Sequence, residues 1–358
     1  MIQNYIQQIY EQKPLSYRPE HYHQILKEIR AQEISPQIMY LLKRNGQFES
    51  SPLFFQVGLM EDSKPVLYQN LFIKNQTKKI FDKLEQLAIE VISVKGVYFG
   101  EKYFGHPGAR ATSDIDLLVK EEEVEKVVQV VKSIGFDIEE ERIENHFHMS
   151  LSKNIPGSPV PLVVEIHWNL MNESNTHLNP IEFFVEAEPL EGYTHVKNLS
   201  PLHTFYFMCL HAWRHNLDST RHYLDLIQII FLSHQQISTD ALMSMARKHS
   251  TLKRMLRTLS EVYDQFPMLE SLMPFPELTT PWYKKKRHHP LTSYLIFFDY
   301  QFLSYDAFHH RLREIGRWLV PNGRNVGKQL KQEESSILIL NYIRLYRQRI
   351  SSVLKAFL

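Results

Sequence analysis

The chain has 358 residues, and 43% of them are hydrophobic, so it is long enough to bury one or more sizeable cores. Lys and Arg number 41 against 40 Asp and Glu, which gives a formal net charge of +1. This balance provides no global field for gripping a long nucleic acid, and we do not expect a polynucleotide partner. The single cysteine, Cys209, excludes an internal disulfide and a zinc site built on cysteines.

The N-terminus and the hydropathy of the chain favour a cytoplasmic location. The opening MIQNYIQQIYEQK lacks the basic segment and apolar core of a secretion signal. No stretch reaches the roughly 18 apolar residues that a membrane span needs. We therefore expect a cytoplasmic protein without a membrane span.

Residues 1–84 are predicted to form an N-terminal helical region. Apolar side chains recur there at helical spacing, among them Tyr5, Ile6, Ile9 and Tyr10. The spacing of later leucines and isoleucines predicts a further helix that begins near Pro65 and leads into the first strand. We interpret this region as a cap or buttress beside the core of the protein.

Residues 85–180 are predicted to form a small α/β core. An apolar strand, VISVKG, is followed by a short helix and by the strand SDIDLLV. The segment EEEVEKVVQVVKSIGF has valines at helical spacing and carboxylates in its first turn, which predicts a helix. DIEEERIENHFHMSLSK and VPLVVEIHWNL then read as two antiparallel strands joined by NIPGSP.

Three carboxylates in this core are candidates for a metal site. Asp114 and Asp116 are two residues apart, so on an extended strand both side chains leave one face while Ile115 and Leu117 point to the other. Glu165, on the last strand of the core, supplies a third carboxylate. Hard oxygen ligands of this kind hold Mg²⁺ or Mn²⁺ in phosphoryl and nucleotidyl transfer. For the aspartate pair alone, an edge strand with a solvated face is the alternative interpretation.

Taken together, these motifs resemble those of a known superfamily. Lys95-Gly96 after an apolar strand, then Arg110, SDIDLLV and EIHW, are similar to the pattern of an uncharacterised bacterial nucleotidyltransferase family within the DNA polymerase beta-like nucleotidyltransferase superfamily. The wider superfamily usually has Gly-Ser where this chain has Lys95-Gly96. The resemblance implies NTP as substrate, Mg²⁺ or Mn²⁺ as cofactor, and a nucleotide site that includes Lys95, Gly96, Arg110, Ser113 and His167.

The residue types alone leave three of these roles open. Lys95 either meets phosphate oxygens or stands in solvent at the end of its strand. Arg110 either clamps a phosphate with its planar guanidinium or pairs with the acidic site. His167 either orients a carboxylate, touches the nucleotide or makes a structural hydrogen bond.

Residues 181–358 are predicted to form a C-terminal helical domain. SPLHTFYFMCLHAWRHNL and STRHYLDLIQIIFLSH form a helical hairpin, with serine N-caps available to its helices. His211, Arg214 and His215 share one helix face, and Asp225 on the partner helix is within their reach. These four side chains either line the acceptor side of the site or form an interhelical ion-pair network. The tail ILILNYIRLYRQRISSVLKAFL is predicted to be a last amphipathic helix.

The sequence therefore predicts an α+β fold, in which a small mixed-sheet nucleotidyltransferase core is flanked by N-terminal and C-terminal helical regions. The resemblance implies an enzyme that moves an NMP from an NTP to a small-molecule, sugar, peptide or protein acceptor and releases pyrophosphate. Asp114, Asp116 and Glu165 would hold the metals and carry catalysis. A binding module of the same fold without turnover, or a structural adaptor without nucleotide affinity, are the alternatives.

Overall fold

The computed structural model describes residues 1–140, 142, 146–155, 160–275, 278, 290–320 and 341–349. Helices flank one mixed sheet, which confirms the predicted α+β fold. The strands are β1 Val91–Ser93, β2 Asp114–Val119, β3 Asp137–Glu140, β4 His148–Lys153, β5 Leu162–His167, β6 Glu188–Pro189 and β7 Val196–Asn198. The α-helices before the last strand are α1 Ile2–Tyr10, α2 Pro19–Ala31, α3 Ser35–Arg44, α4 Leu53–Gln86, α5 Val97–Phe104, α6 Val124–Lys132 and α7 Ile181–Val185. Those after it are α8 Pro201–Arg214, α9 Thr220–Ser233, α10 Thr239–Lys248, α11 Leu252–Gln265, α12 Pro290–Phe298 and α13 Phe308–Leu319.

The sheet has the strand order β3-β4-β5-β2-β1-β7-β6. β2 lies parallel to β5 and β1 parallel to β7, while the other neighbours are antiparallel. The first of the two strands predicted around NIPGSP is in fact two strands, β3 and β4. β6 and β7 lie beyond residue 180, where the sequence indicated helices. These two strands are short, and the pairing of β7 with β1 and of β6 with β7 decides their conformation more than local periodicity does.

Helix α4 is longer than the sequence predicts, because it begins at Leu53 and carries Pro65 in its interior. A proline normally removes one hydrogen bond and disfavours helix at the residue before it, which is why the predicted start was wrong. The preceding turns are helical because Phe55 and Leu59 bury their side chains against the N-terminal helices. Packing therefore outweighs the local cost of the proline.

Two hydrophobic clusters organise the chain, and α4 contributes to both. The larger cluster joins the N-terminal helices to α8–α11 and contains Phe55 and Leu59. The smaller cluster fills the space between the sheet, α6 and the second half of α4, which contributes Ile80 and Phe81. The predicted N-terminal and C-terminal helical regions thus share one core. The sheet lies against that shared core with one of its faces.

The predicted helical hairpin is confirmed as α8 and α9, with Ser200 and Ser219 as N-caps that accept backbone hydrogen bonds. Of the predicted tail helix, residues 341–349 are helical, and residues 337–340 and 350–358 lie outside the described residues. Most of the proline-rich segment 273–290 also lies outside them. Within the described ranges, no helix combines the length and apolarity that crossing a membrane requires.

Candidate functional site

The register between β2 and β5 brings the three carboxylates together. Asp116 is the direct partner of Glu165 across the two parallel strands, and Asp114 precedes it by two residues. Ile115 and Leu117 point into the smaller hydrophobic cluster, so the aspartates leave the opposite face, as the alternation predicts. All three carboxylates line one cavity with a volume of about 310 Å³.

Lys95 lies between the two aspartates. Its Nζ is 2.8 Å from Oδ2 of Asp114 and 2.8 Å from Oδ2 of Asp116. Burial by itself would lower the pKa of Lys95, but the two carboxylates outweigh it and raise the pKa above its usual value. Lys95 is therefore a fixed cation of the acidic site, which differs from the solvent-exposed alternative. Gly96 follows it with a φ of 97°, a conformation that favours glycine and lets helix α5 begin at the next residue.

His167 joins the two strands by contacting two of the carboxylates. Its Nε2 lies 3.1 Å from Oε2 of Glu165 and 3.3 Å from Oδ1 of Asp116. Burial alone would lower the pKa of His167, but its contacts with Asp116 and Glu165 outweigh burial, so the pKa is raised above its usual value. The hydrogen bond from His167 lowers the pKa of Glu165 to about 2 despite its burial. The geometry supports the carboxylate-orienting role of His167.

Arg110 pairs with a carboxylate other than those of Asp114, Asp116 and Glu165. Its Nε donates to Oδ1 of Asp225 at 2.8 Å and its Nη2 to Oδ2 at 2.8 Å, so the two side chains form a forked ion pair. Both are buried, and Asp225 has no exposed surface. Asp225, which the sequence places within reach of His211, Arg214 and His215, directs both carboxylate oxygens to Arg110 instead. The pair fastens α9 to the segment that enters β2.

The other hairpin residues lie in the same cavity as the carboxylates. His211, Arg214 and His215 line it, together with Ser113 and Phe207. The imidazole rings of His211 and His215 lie 4.7 Å apart, centre to centre. Burial, then the nearby Lys95, lowers the pKa of His211 well below its usual value. This wall of the cavity therefore presents neutral imidazole and one arginine, facing the acidic wall on the sheet.

A second cavity adjoins the first. We call it the groove; it has a volume of about 660 Å³ and lies between the N-terminal helices and the segment before β2. The groove and the first cavity share Ala111, Thr112, Ser113 and Arg221 in their walls. The acidic site consequently opens on one side toward α8 and α9 and on another toward α2, α3 and α4.

Sequence reasoning missed two ionisable residues of the cavity wall, Arg221 and His222. Both lie in the first turn of α9. Helical spacing places Arg221 four residues before Asp225, so a face drawn through Asp225 would have included it. What the sequence could not show is that this face meets β2, which depends on how α9 packs on the core.

Three groups of side chains in the described part of the chain have ligand atoms within 4.8 Å of one another, close enough to hold a metal ion. They are Asp116 with Glu165 and His167, His215 with Asp218 and His222, and His177 with His309 and His310. The first group fits a hard divalent cation best, because two of its three members are carboxylates and Asp114 adds a further carboxylate to the same cavity. The Lys95 ammonium already lies against two of these carboxylates, those of Asp114 and Asp116.

A protein-family model matches most of the chain. The model of the family described as "Uncharacterised nucleotidyltransferase" matches residues 18–263, which include the sheet, the three carboxylates and the α8–α9 hairpin. The chain therefore belongs to this nucleotidyltransferase family. No curated protein and no solved structure matches the chain.

Proposed function

We propose that this protein is a metal-dependent nucleotidyltransferase with the active-site organisation of the DNA polymerase beta-like superfamily. It would transfer an NMP from an NTP to a small-molecule, sugar, peptide or protein acceptor and release pyrophosphate. The observation that carries the proposal is that Asp114, Asp116 and Glu165 line one cavity, where Asp116 and Glu165 are direct partners across the two strands and Lys95 lies against both aspartates. Family membership supports the same class of reaction.

In this proposal Asp114, Asp116 and Glu165 hold Mg²⁺ or Mn²⁺. The bound ion compensates the triphosphate charge and polarises the nucleophile of the acceptor. His167 positions Asp116 and Glu165 through its two contacts, and it keeps the glutamate charged because it lowers its pKa. Glu165 would then remain ionised as a metal ligand on the side of the site where the acceptor nucleophile is activated.

The nucleotide contacts come from residues that lie close to Asp114 in space, at the end of β1 and at the start of β2. Lys95 offers its ammonium to a phosphate, and Gly96 and Ser113 bring backbone and hydroxyl groups to the same place. Arg110 remains on Asp225 and positions helix α9, so we assign it no direct phosphate contact.

The acceptor side of the site is formed by His211, Arg214 and His215, which line the wall opposite the carboxylates. Neutral imidazoles can donate and accept hydrogen bonds, which suits an acceptor with hydroxyl or amine groups. Asp225 supports this wall from beneath through Arg110 and does not touch the acceptor.

The test separates binding from turnover in Glu165→Gln. This change keeps the shape of the side chain and removes its charge, so Mg²⁺–NTP should still bind through Asp114 and Asp116 while pyrophosphate release falls by roughly 100-fold or more. NTP affinity is measured by titration calorimetry and pyrophosphate release with a mixture of labelled NTPs and cell extract as acceptor source.

The matched control is Glu139→Gln, which changes an exposed glutamate on β3. It should behave as the wild type in both measurements. Unchanged turnover in Glu165→Gln would remove Glu165 from the mechanism. If the wild type binds NTP tightly but releases no pyrophosphate in the presence of any acceptor, the alternative of a binding module would be favoured.

A further inference from the structure

The cations that the sequence assigns to phosphate binding are already neutralised by carboxylates. Lys95 lies between Asp114 and Asp116, each at 2.8 Å. Arg110 makes a forked ion pair with Asp225 inside the protein. Since an NTP brings several negative charges, an additional cation in the cavity wall is needed to match the end of the triphosphate that lies away from the metal ligands.

Arg221 is such a cation, because it lines both the cavity of the carboxylates and the adjoining groove. Its side chain is 26% exposed, and it forms a long ion pair with Glu33, which is 3.7 Å away and 82% exposed. A carboxylate so open to water compensates the guanidinium only weakly. The Nε of Arg221 is enclosed and makes no hydrogen bond among the described residues.

The charges that act on Arg221 are Arg110 and the carboxylates of Asp225, Glu33 and Asp114, and two of these carboxylates already pair with other cations, Asp225 with Arg110 and Asp114 with Lys95. Arg221 and Arg110 both interact electrostatically with Asp225, which lies four residues after Arg221 on α9. Both carboxylate oxygens of Asp225 accept hydrogen bonds from Arg110. Burial, and then the neighbouring Arg110, lowers the pKa of Arg221. Two arginines thus share one buried carboxylate, an arrangement that an incoming anion would stabilise.

Helix stability does not explain an arginine at this position. Arg221 is in the first turn of α9, where the helix dipole is positive and favours negative side chains. The N-cap role there belongs to Ser219, whose hydroxyl accepts the hydrogen bond from the Arg221 N–H. The guanidinium therefore opposes the dipole of its own helix, and it reinforces the attraction of that helix end for an anion.

We propose that Arg221 forms a polyphosphate subsite at the junction of the cavity and the groove, and that it binds the terminal phosphates of the NTP. The inference rests on the proposed function, which it deepens by naming the residue that takes the leaving pyrophosphate. Arg221 is suited to this because its planar fork matches two phosphate oxygens at once. Ser113, in the wall shared by both cavities, links the subsite to Asp114.

The experiment measures the affinity of the full chain for inorganic tripolyphosphate and for NTP, with Mg²⁺ present, by titration calorimetry. Arg221→Gln should weaken both by roughly 10- to 100-fold, since it removes a charge-assisted contact. Its melting temperature should stay the same or rise, because the substitution removes a cation from the positive end of a helix. Arg18→Gln, at the exposed N-cap of α2 and in neither cavity wall, is the matched control and should bind as the wild type.

The outcomes separate this inference from the proposed function. If the wild type binds NTP and Arg221→Gln binds tripolyphosphate equally well, the subsite is wrong and the proposed function stands. If the wild type binds neither NTP nor tripolyphosphate, the Arg221 subsite and the proposed function are both wrong. If Arg221→Gln does not fold, Arg221→Lys decides: several-fold weaker tripolyphosphate binding supports the fork-shaped contact, and unchanged binding overturns it.

Discussion

At the scale of single residues, the two aspartates of β2 carry the metal assignment. Asp114→Asn and Asp116→Asn should each weaken Mg²⁺-dependent NTP binding roughly tenfold or more, because each removes a hard anionic ligand. Calorimetric titration of NTP with and without Mg²⁺ measures this. Asp137→Asn, on the exposed strand β3, is the control and should bind as the wild type. Metal-dependent affinity that survives in both variants would show that the metal lies elsewhere.

A different residue-level effect is expected for the buried ion pair of Arg110 and Asp225. Either single change, Arg110→Met or Asp225→Leu, leaves one buried charge without its partner and should lower the free energy of unfolding by about 3–5 kcal/mol. The double variant should recover much of this loss, since no charge is left unpaired. Urea unfolding measures the free energy of unfolding of the two single variants and of the double variant.

The exposed pair of Arg30 and Asp62 provides the contrast. Arg30→Gln should change the free energy of unfolding by about 1 kcal/mol or less, because water screens that pair. Equal effects at the buried and exposed pairs would mean that Arg110 contributes little to the fold.

At the scale of elements, sequence patterns predicted what local spacing decides. β2 and β5 were recognisable because their apolar residues alternate with Asp114, Asp116 and Glu165, and the α8–α9 hairpin because of its periodicity and serine caps. The full length of α4 was not predictable, because Pro65 argues locally against a continuous helix and only the packing of Phe55 and Leu59 overrides it. β6 and β7 are too short to show a pattern of their own.

The same limit applies to the site. The carboxylates were found because their positions in the sequence fix their shared face, and Lys95 because it ends a strand. The partners of Arg110 and the position of Arg221 depend on how α9 approaches the sheet, over a separation of 115 residues between Arg110 and Asp225. No local rule determines such a contact.

Three strands of the sheet are held together by a charge cluster at their edge. Glu90, just before β1, accepts hydrogen bonds from Lys120 after β2 and from Lys197 on β7. These two lysines lower the pKa of Glu90 to about 2. Because the pKa of Glu90 in the folded protein is below its ordinary value, the ionised carboxylate stabilises the fold. This contribution to the free energy of unfolding is complete above about pH 4.5 and is lost as the pH falls toward 2.

Glu90→Gln should therefore lower the free energy of unfolding at pH 7 by about 1 kcal/mol, a modest figure because the carboxylate is partly exposed and its pairs are screened. The difference between variant and wild type should shrink as the pH is lowered from 5 to 3. Chemical unfolding at a series of pH values measures it. Glu191→Gln, at an exposed turn between β6 and β7, is the control. A difference that stays constant with pH would contradict the role of the Glu90 charge.

At the scale of the whole molecule, a buried polar contact joins the two helical regions. The hydroxyl of Tyr10 on α1 donates to Oε1 of Gln228 on α9 at 2.8 Å, and Nε2 of Gln228 donates to the carbonyl of Tyr103 on α5 at 2.6 Å. Tyr10→Phe should lower the free energy of unfolding by about 1–3 kcal/mol, because it leaves a buried amide oxygen without its donor. Thermal and urea unfolding measure this change.

Tyr68→Phe removes the same atom from a tyrosine that is 60% exposed, and it should have an effect within about 0.5 kcal/mol. If the two variants are equally stable, the contact between α1 and α9 does not contribute to holding the helical regions together.

The shared helical core also determines when this chain can fold during its synthesis. Tyr10 and Gln228 are 218 residues apart, so α1–α3 leave the ribosome long before α8–α11 exist to cover their apolar side chains. At about 5–20 residues per second, that interval is roughly 10–45 s. Throughout it the nascent chain exposes half of an unfinished core while the sheet is being made. Production of this protein should accordingly depend on chaperones that hold the N-terminal helices, and slower translation after β7 should lengthen that dependence.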